Sequence, residues 1–308
     1  MMTLAFVFPG QGSQSVGMLN ALSAAHPAVG QTYDEASEVL GYNLWRVVSE
    51  DPDGRLNQTD VTQPALLAAG VAVWRVWLEQ GGARPQVMAG HSLGEYTALV
   101  CADALPFAEA VALVEERGRL MQEAVPEGAG AMAAVLGLSD EQVADVCRQA
   151  AQDGVVQPVN FNSPGQVAVA GERRAVERAM ELAKAAGARR ALVLPVSVPS
   201  HCALMEGAAA KLLQRLQAVA VRTPVIPVIH NFDVQSHNDA DEIRQVLAKQ
   251  LYNPVRWVET IQAMAAQGIT TLVECGPGKV LAGLNKRIDK AMTAHAVFDP
   301  DTLQAALG

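Results

Sequence analysis

At 308 residues, 50% of them hydrophobic and only 18% charged, the chain is long enough to bury a large core in one domain or two unequal ones, which excludes a disordered segment. Its formal net charge of −9 argues against general binding to nucleic acid. The four cysteines (Cys101, Cys147, Cys202, Cys275) are widely spaced with no C-x-x-C, so neither disulfides nor a cysteine metal site are expected, and a cytoplasmic location is.

Leu4–Phe8 is continuously apolar, the pattern of a parallel strand buried on both faces. It runs into the glycine-rich loop 9–14, which is not a dinucleotide fingerprint because Ser15 stands where a third glycine is needed. No basic segment precedes that strand, and its apolar run stops at Pro9-Gly10, so no signal peptide is expected. A helix is predicted from about Gln63 to Leu78, broken by Gly81-Gly82. Its apolar run, 65–74, ends at Arg75, short of the ~18 residues a membrane helix needs, and no membrane partner is expected.

Gly90-His91-Ser92-Leu93-Gly94 reads G-x-S-x-G, with the apolar segment 86–89 before it and a helix opening at Glu95 after it. That context fits a nucleophile elbow, in which a strained turn projects the serine hydroxyl and a helix N-terminus offers N–H groups to an oxyanion. The alternative is a tight strand-to-helix turn with a buried, hydrogen-bonded serine.

In the helix predicted over Phe107 to about Glu123, Arg117 falls inside the apolar stripe of Ala110, Val114 and Met121. Arg119 shares the face of Glu115, Glu116 and Glu123 and is expected in solvent. An inward arginine is costly unless it meets a carboxylate. Two readings stay open: a structural ion pair with an internal acid, or a bidentate clamp for an acidic substrate.

Between Pro126 and Pro195 the rhythm changes. Strands are predicted at Ala131–Leu136, Val155–Asn160, Gln166–Ala170 and Ala191–Leu194. Helices are predicted over Ser139–Gln152, capped by Ser139, and Glu172–Ala186, stopped by Gly187; the turn is 162–165. The order β-α-β-β-α-β is a ferredoxin-like unit. Further strands at Val225–Ile229 and Thr271–Glu274 complete an α/β pattern. The predicted fold is a large α/β-hydrolase-like domain with a mainly parallel sheet, residues 1–125 and 197–308, carrying an inserted small ferredoxin-like subdomain, residues 126–196.

A nucleophilic serine needs a base, and there are six histidines. His91, adjacent to Ser92 on the turn, should point away from the hydroxyl; His26, His237 and His295 lie in polar or terminal surroundings, and nothing marks His230. His201 falls where the chain re-enters the large domain, and clefts between domains favour ligand sites, though a structural histidine is the alternative. Two locally basic stretches, 173–190 and 279–290, read either as solvated helix faces or as docking for an acidic partner.

Taken together, loop 8–14, Thr62–Leu66, Gly90–Tyr96, Arg117-Gly118, Asn160, Asn162–Gln166, Pro199–Cys202, Gln250–Trp257 and Glu274–Gly278 resemble, in order, the malonyl-CoA:acyl carrier protein transacylases, stand-alone acyltransferases of fatty-acid synthesis. The resemblance implies an S-malonyltransferase that parks malonate on Ser92, with His201 as general base and acid, oriented by the backbone carbonyl of Gln250. It further implies an oxyanion hole from the N–H groups of Gln11 and Leu93, and substrate binding by Arg117, Gln63, Asn160 and Asn162. No metal and no cofactor are implied beyond the substrates malonyl-CoA and holo-acyl carrier protein. The carrier would dock on basic residues Arg173, Arg174, Lys279, Lys286 and Arg287, and the enzyme is expected to be a monomer. Cys202 is read as packing beside His201. Competing readings are a malonyl transferase of a polyketide or malonate-decarboxylase pathway, and a serine esterase or thioesterase, which would supply an acid partner for His201.

Overall fold

The apolar run near the N-terminus forms strand β1 (Leu4–Phe8), every residue buried, at the centre of a five-stranded sheet. The structure is a computed structural model and describes residues 3–196 and 198–308. After β1 come α1 (Asn20–Ala25), α2 (Pro27–Leu40), α3 (Leu44–Ser49) and α4 (Thr59–Glu79). Then follow β2 (Val87–Gly90), α5 (Gly94–Cys101) and α6 (Phe107–Ala124). The next segment is β3 (Gly130–Leu136), α7 (Asp140–Ala151), β4 (Val156–Ser163), β5 (Gln166–Glu172), α8 (Arg173–Ala185) and β6 (Arg190–Val193). The remainder is α9 (Glu206–Gln217), β7 (Val228–Ile229), α10 (Ala240–Gln250), α11 (Trp257–Ala266), β8 (Thr271–Cys275), α12 (Val280–Ile288), β9 (Thr293–Val297) and α13 (Pro300–Leu307).

The larger sheet has the order β7-β2-β1-β8-β9, and every pairing in it is parallel. The strand predicted over Val225–Ile229 shrinks to its last two residues. Pro227 cannot donate to a ladder, and Val225 is 60% exposed, so neither extends the pairing. Strand β9, which the sequence did not suggest, is an edge strand with no continuous apolar run: only Val297 of its five residues is buried. Helix α4 starts a turn earlier than Gln63, with Pro64 inside it. At that first turn Gly118 of α6 lets the two helices close up, since a Cβ there would lie 2.6 Å from Asp60 Cα. Against the expectation from the run ending at Arg75, α4 is long and apolar enough by length and composition to cross a membrane. Its best window has mean hydropathy 1.3, and 89% of that window is buried within the protein, as for a central core helix.

The smaller sheet has the order β4-β5-β3-β6, all antiparallel, with α7 and α8 packed on it around a separate apolar cluster that includes Val135, Val146, Val169 and Val176. This is the β-α-β-β-α-β unit expected. Ser139 caps α7 in a full capping box with Gln142. The domain limits expected at residues 1 and 197 fall on positions outside the described residues. Strand β4 runs past its expected end at Asn160 to Ser163, with register shifts at Pro158/Asn160 and Phe161/Ser163. On its other side β4 meets the larger body: Val255 donates to Val159 O at 2.8 Å, and Phe161 donates to Val255 O at 3.0 Å. Asn160 therefore sits at the seam between the two sheets.

Candidate active site

Ser92 lies between β2 and α5 with φ +51°, a left-handed conformation unusual for a side chain larger than glycine. The flanking glycines permit the turn. A Cβ on Gly90 would come within 1.8 Å of Gly94 C, and one on Gly94 within 2.0 Å of Phe8 O. Asn231 straps the turn from beneath, accepting from the Ser92 N–H at 2.7 Å and donating to Gly90 O at 2.7 Å.

Above the serine, Nε2 of His201 lies 2.7 Å from Ser92 Oγ, and Nδ1 lies 2.8 Å from the main-chain oxygen of Gln250. A carbonyl only accepts, so Nδ1 carries the proton and Nε2 is left to take one from the hydroxyl. Gln250 is the last residue of α10, whose terminal carbonyls lack helical partners and form the negative end of its dipole. Such an end can stabilise an imidazolium, the part an aspartate plays in other triads. No carboxylate pairs with His201 among the described residues, which removes the support an esterase reading asked for. Burial first, and then the Arg117 charge, push the His201 pKa down to about 3.

Arg117 is 1% exposed, and burial lowers its pKa from the usual arginine value. Nη1 donates to Gln63 Oε1 at 2.7 Å; Nη2 donates to Gln250 Oε1 at 3.0 Å and to Ser92 Oγ at 3.3 Å; Nε has no acceptor. All these acceptors are neutral. No carboxylate pairs directly with Arg117 among the described residues, the buried Glu95 reaching it only through the Gln250 amide, whereas Arg119 pairs with Glu116 and Glu123 in solvent.

A cavity of about 90 Å³ opens over Ser92, lined by Gln11, His91, Leu93, Arg117, Met121, Asn160, His201 and others. An apolar cavity of about 150 Å³ admits benzene, so this one suits an acyl group of a few heavy atoms. Neither the Gln11 nor the Leu93 backbone N–H donates to an acceptor among the described residues. Asn160 lines the cavity, with its buried Oδ1 unpartnered. Gln63 does not line it: this residue stands behind Arg117, with Nε2 on Met121 Sδ. Asn162 lines an adjoining cavity of about 200 Å³ and accepts there from His91 Nε2 at 2.8 Å, which turns His91 away from the hydroxyl as expected. That outer cavity shares Gln11, His91, Asn160 and Leu194 with the inner one.

Glu95, His230, Asn231 and the side chain of Gln250 were not anticipated. Each is fully buried, beneath the elbow or beside it. Only Glu95, the residue immediately after the G-x-S-x-G core, offered a signal, an acid opening an otherwise apolar helix. Cys202 donates to Pro199 O at 3.2 Å, and burial raises its thiol to about 11, which leaves it no thiolate character at neutral pH. Among the described residues no three His, Cys, Asp or Glu side chains gather as metal ligands.

The family model for the acyl transferase domain matches residues 5–297. A malonyl CoA-acyl carrier protein transacylase of Escherichia coli (strain K12) is 57% identical over 307 residues, 100% of this chain and 99% of the relative. An acyl carrier protein S-malonyltransferase from Vibrio cholerae, solved as a crystal structure, superposes with TM-score 0.96 at 58% identity, covering 98% of this chain and 99% of that one. A malonyl-transacylase solved in complex with its holo type II PKS acyl-carrier protein superposes with TM-score 0.98 at 57% identity, covering 99% of both chains.

Proposed function

The chain belongs to the acyl transferase family, among its malonyl-CoA–acyl carrier protein transacylases, and from that premise we propose a role for each residue around Ser92. The enzyme moves a malonyl group from coenzyme A to the phosphopantetheine thiol of an acyl carrier protein and so supplies fatty-acid elongation. The observation that carries the residue roles is the buried Arg117, 3.3 Å from a serine hydroxyl and without a carboxylate of its own.

Ser92 Oγ attacks the thioester carbonyl of malonyl-CoA while its proton passes to His201 Nε2. The tetrahedral oxyanion accepts from the Gln11 and Leu93 N–H groups, one from the loop after β1 and the other from the elbow. His201 returns its proton to the departing thiolate of coenzyme A, and malonate remains as a serine ester. The carrier thiol then gives its proton to Nε2, attacks the ester and leaves as malonyl-carrier, with the proton going back to Ser92. Arg117 pairs throughout with the free carboxylate of the malonyl group, held in place by Gln63 and Gln250. An acetyl group leaves the guanidinium unmatched, and a desolvated charge without its partner costs several kcal/mol. Asn160 offers its side-chain amide to the acyl group, and Asn162 sets His91 at the inner wall.

The reading divides the chain into a large catalytic part, 1–125 and 197–308, and a small subdomain, 126–196, whose own apolar cluster supports the division. A site assembled wholly within one chain supports a monomer. Carrier docking falls to Lys279, Lys286 and Arg287, because Arg287 donates to Gln166 Oε1 at 2.9 Å and Gln166 lines the outer cavity. Arg173 and Arg174 open α8, after the opposite end of β5. A polyketide carrier as the natural acceptor is the second reading, favoured by the 57% identity to the transacylase bound to its type II PKS carrier.

Intact-protein mass spectrometry after mixing with malonyl-CoA tests the reaction. A malonyl adduct on Ser92 should form and vanish when holo-carrier is added, and Ser92→Ala should form none. An adduct that persists in Ser92→Ala, or that is lost to water as fast as to the carrier, refutes the assignment. Relative kcat/KM with fatty-acid and polyketide holo-carriers separates the two acceptors.

A further inference from the structure

Glu95 is the second residue of α5 and wholly buried, yet the transfer as derived gives it nothing to do. No lysine or arginine pairs with it among the described residues. A carboxylate so placed is costly; Arg117 attracts it from the far side of the Gln250 amide without touching it, and the direct compensation comes from donors aimed at it. Three converge. His230 Nδ1 meets Oε1 at 2.8 Å, while the Asn231 N–H at 2.8 Å and Gln250 Nε2 at 3.0 Å meet Oε2.

The third contact matters most for chemistry. Gln250 Nε2 also donates to Ser92 O at 2.9 Å, and its Oε1 accepts from Arg117 Nη2. The two ends of an amide are nearly alike in shape, so only their neighbours decide which faces where. A carboxylate accepts and never donates. It holds the amide NH₂ toward itself and thereby turns the carbonyl toward the guanidinium. A reversed amide would set NH₂ against Arg117, donor against donor, and would face its oxygen toward the Ser92 carbonyl.

We propose that Glu95 is a positioning residue for acyl selectivity: by orienting the Gln250 amide it holds Arg117 in place for the free carboxylate of the incoming acyl group. The same carboxylate fixes Asn231, which straps the elbow, so one buried acid ties the nucleophile and the selectivity arginine to a single reference point. The inference rests on the transacylase reading above.

The test uses the purified full chain with holo-carrier and compares kcat/KM for malonyl-CoA with that for acetyl-CoA. Glu95→Gln removes the charge and replaces one of the two acceptor oxygens with a donor, so at best a single neutral oxygen faces the Gln250 amide, and the malonyl-to-acetyl ratio should fall about tenfold or more. A merely structural role lowers both values by the same factor as folded enzyme is lost, so an unchanged ratio overturns the proposal. Glu95→Asp keeps an acceptor-only group and should retain more of the ratio than Glu95→Gln. If Glu95→Gln does not fold, Glu95→Asp carries the test alone: its retreat by one methylene should lower the ratio about threefold, and no change again overturns the idea. In a Gln250→Leu background, which keeps the main-chain carbonyl, Glu95→Gln should have no further effect on the ratio; an undiminished second fall shows that Glu95 does not act through Gln250. A parent enzyme with no preference for malonyl-CoA would defeat the transacylase reading itself, a distinct result from an unchanged variant.

Discussion

Both residues to which the proposed mechanism gives the proton exchange stand in left-handed backbone, Ser92 at φ +51° and His201 at φ +65°. Such conformations cost about 1–3 kcal/mol each and persist only where surroundings over-determine them. Asn231 and the glycines do so for Ser92; for His201 the tie is its own N–H on Leu251 O at 3.0 Å. The electrostatics around His201 lead to a pH prediction. Its pKa is pushed down to about 3, so the free enzyme holds a neutral base wherever the pH is well above that value. The acid limb normally expected near about 6.5 should be missing, and kcat/KM for malonyl-CoA should stay flat from about pH 8 down to about pH 5. A limb centred near neutrality in a stopped-flow profile of Ser92 acylation would show that the imidazole is not held neutral. At this scale the sequence was partly legible. Ser92 and Arg117 stood out by local pattern, and His201 by its place at the seam. Glu95, Asn231 and the Gln250 side chain did not, because each gains its meaning from a partner distant in the chain, as in the contact of Gln250 with Ser92 158 residues away. Gln63 carried a motif but no sign that it would face Arg117 instead of the cavity.

Elements were legible where their burial was uniform. Strand β1 is buried along its whole length and agrees residue for residue with the expectation, whereas β9 at the sheet edge has one buried residue of five and left no pattern to read. Helix α4 begins at Thr59, a turn before the expected Gln63, where close contact with Gly118 of α6 packs its first turn. Close approach of elements also yields a stability prediction. Gly94 opens α5 directly against β1, and an added methyl would meet Phe8 O at 2.0 Å and Phe8 C at 2.7 Å, backbone atoms that cannot turn aside. Gly283, in the middle of α12, has nothing within 4 Å of the same position. Alanine gains up to ~1 kcal/mol over glycine inside a helix, but overpacking costs about 1–3 kcal/mol. Gly94→Ala should therefore lose stability and Gly283→Ala gain it, as read from urea midpoints at constant slope. Equal shifts in the two variants would mean that the elbow yields more easily than its geometry indicates.

At the scale of the molecule, the first basic stretch spans the smaller sheet from end to end, and only one of its ends lies near the second. Arg190 and Gln166 flank Leu136 on either side, and Arg287 reaches Gln166, so these cations gather at one end of β3. Arg173 and Arg174 follow Glu172, which pairs with Gly130 at the other end, seven residues along the strand or about 20 Å away. The cavity adjoining the one over Ser92 is lined by Gln166, Val280 and Leu284, at the Arg287 end. A phosphopantetheine arm entering there brings its carrier over α12, not over the start of α8. An acidic carrier held by exposed cations is attracted chiefly on approach, and the attraction is screened over a Debye length of about 8 Å at physiological salt. Reversing charge with Lys286→Glu and Arg287→Glu together should thus raise KM for the carrier about tenfold at low salt and progressively less as salt is added. Arg173→Glu with Arg174→Glu should stay within about twofold of the parent, since a charge that far off is largely screened. Malonyl-CoA, which presents a far smaller charged surface, should respond less than the carrier in either pair. If the α8 pair proves the stronger, the carrier approaches across the helical face of the small sheet, and its arm must reach Ser92 by another opening.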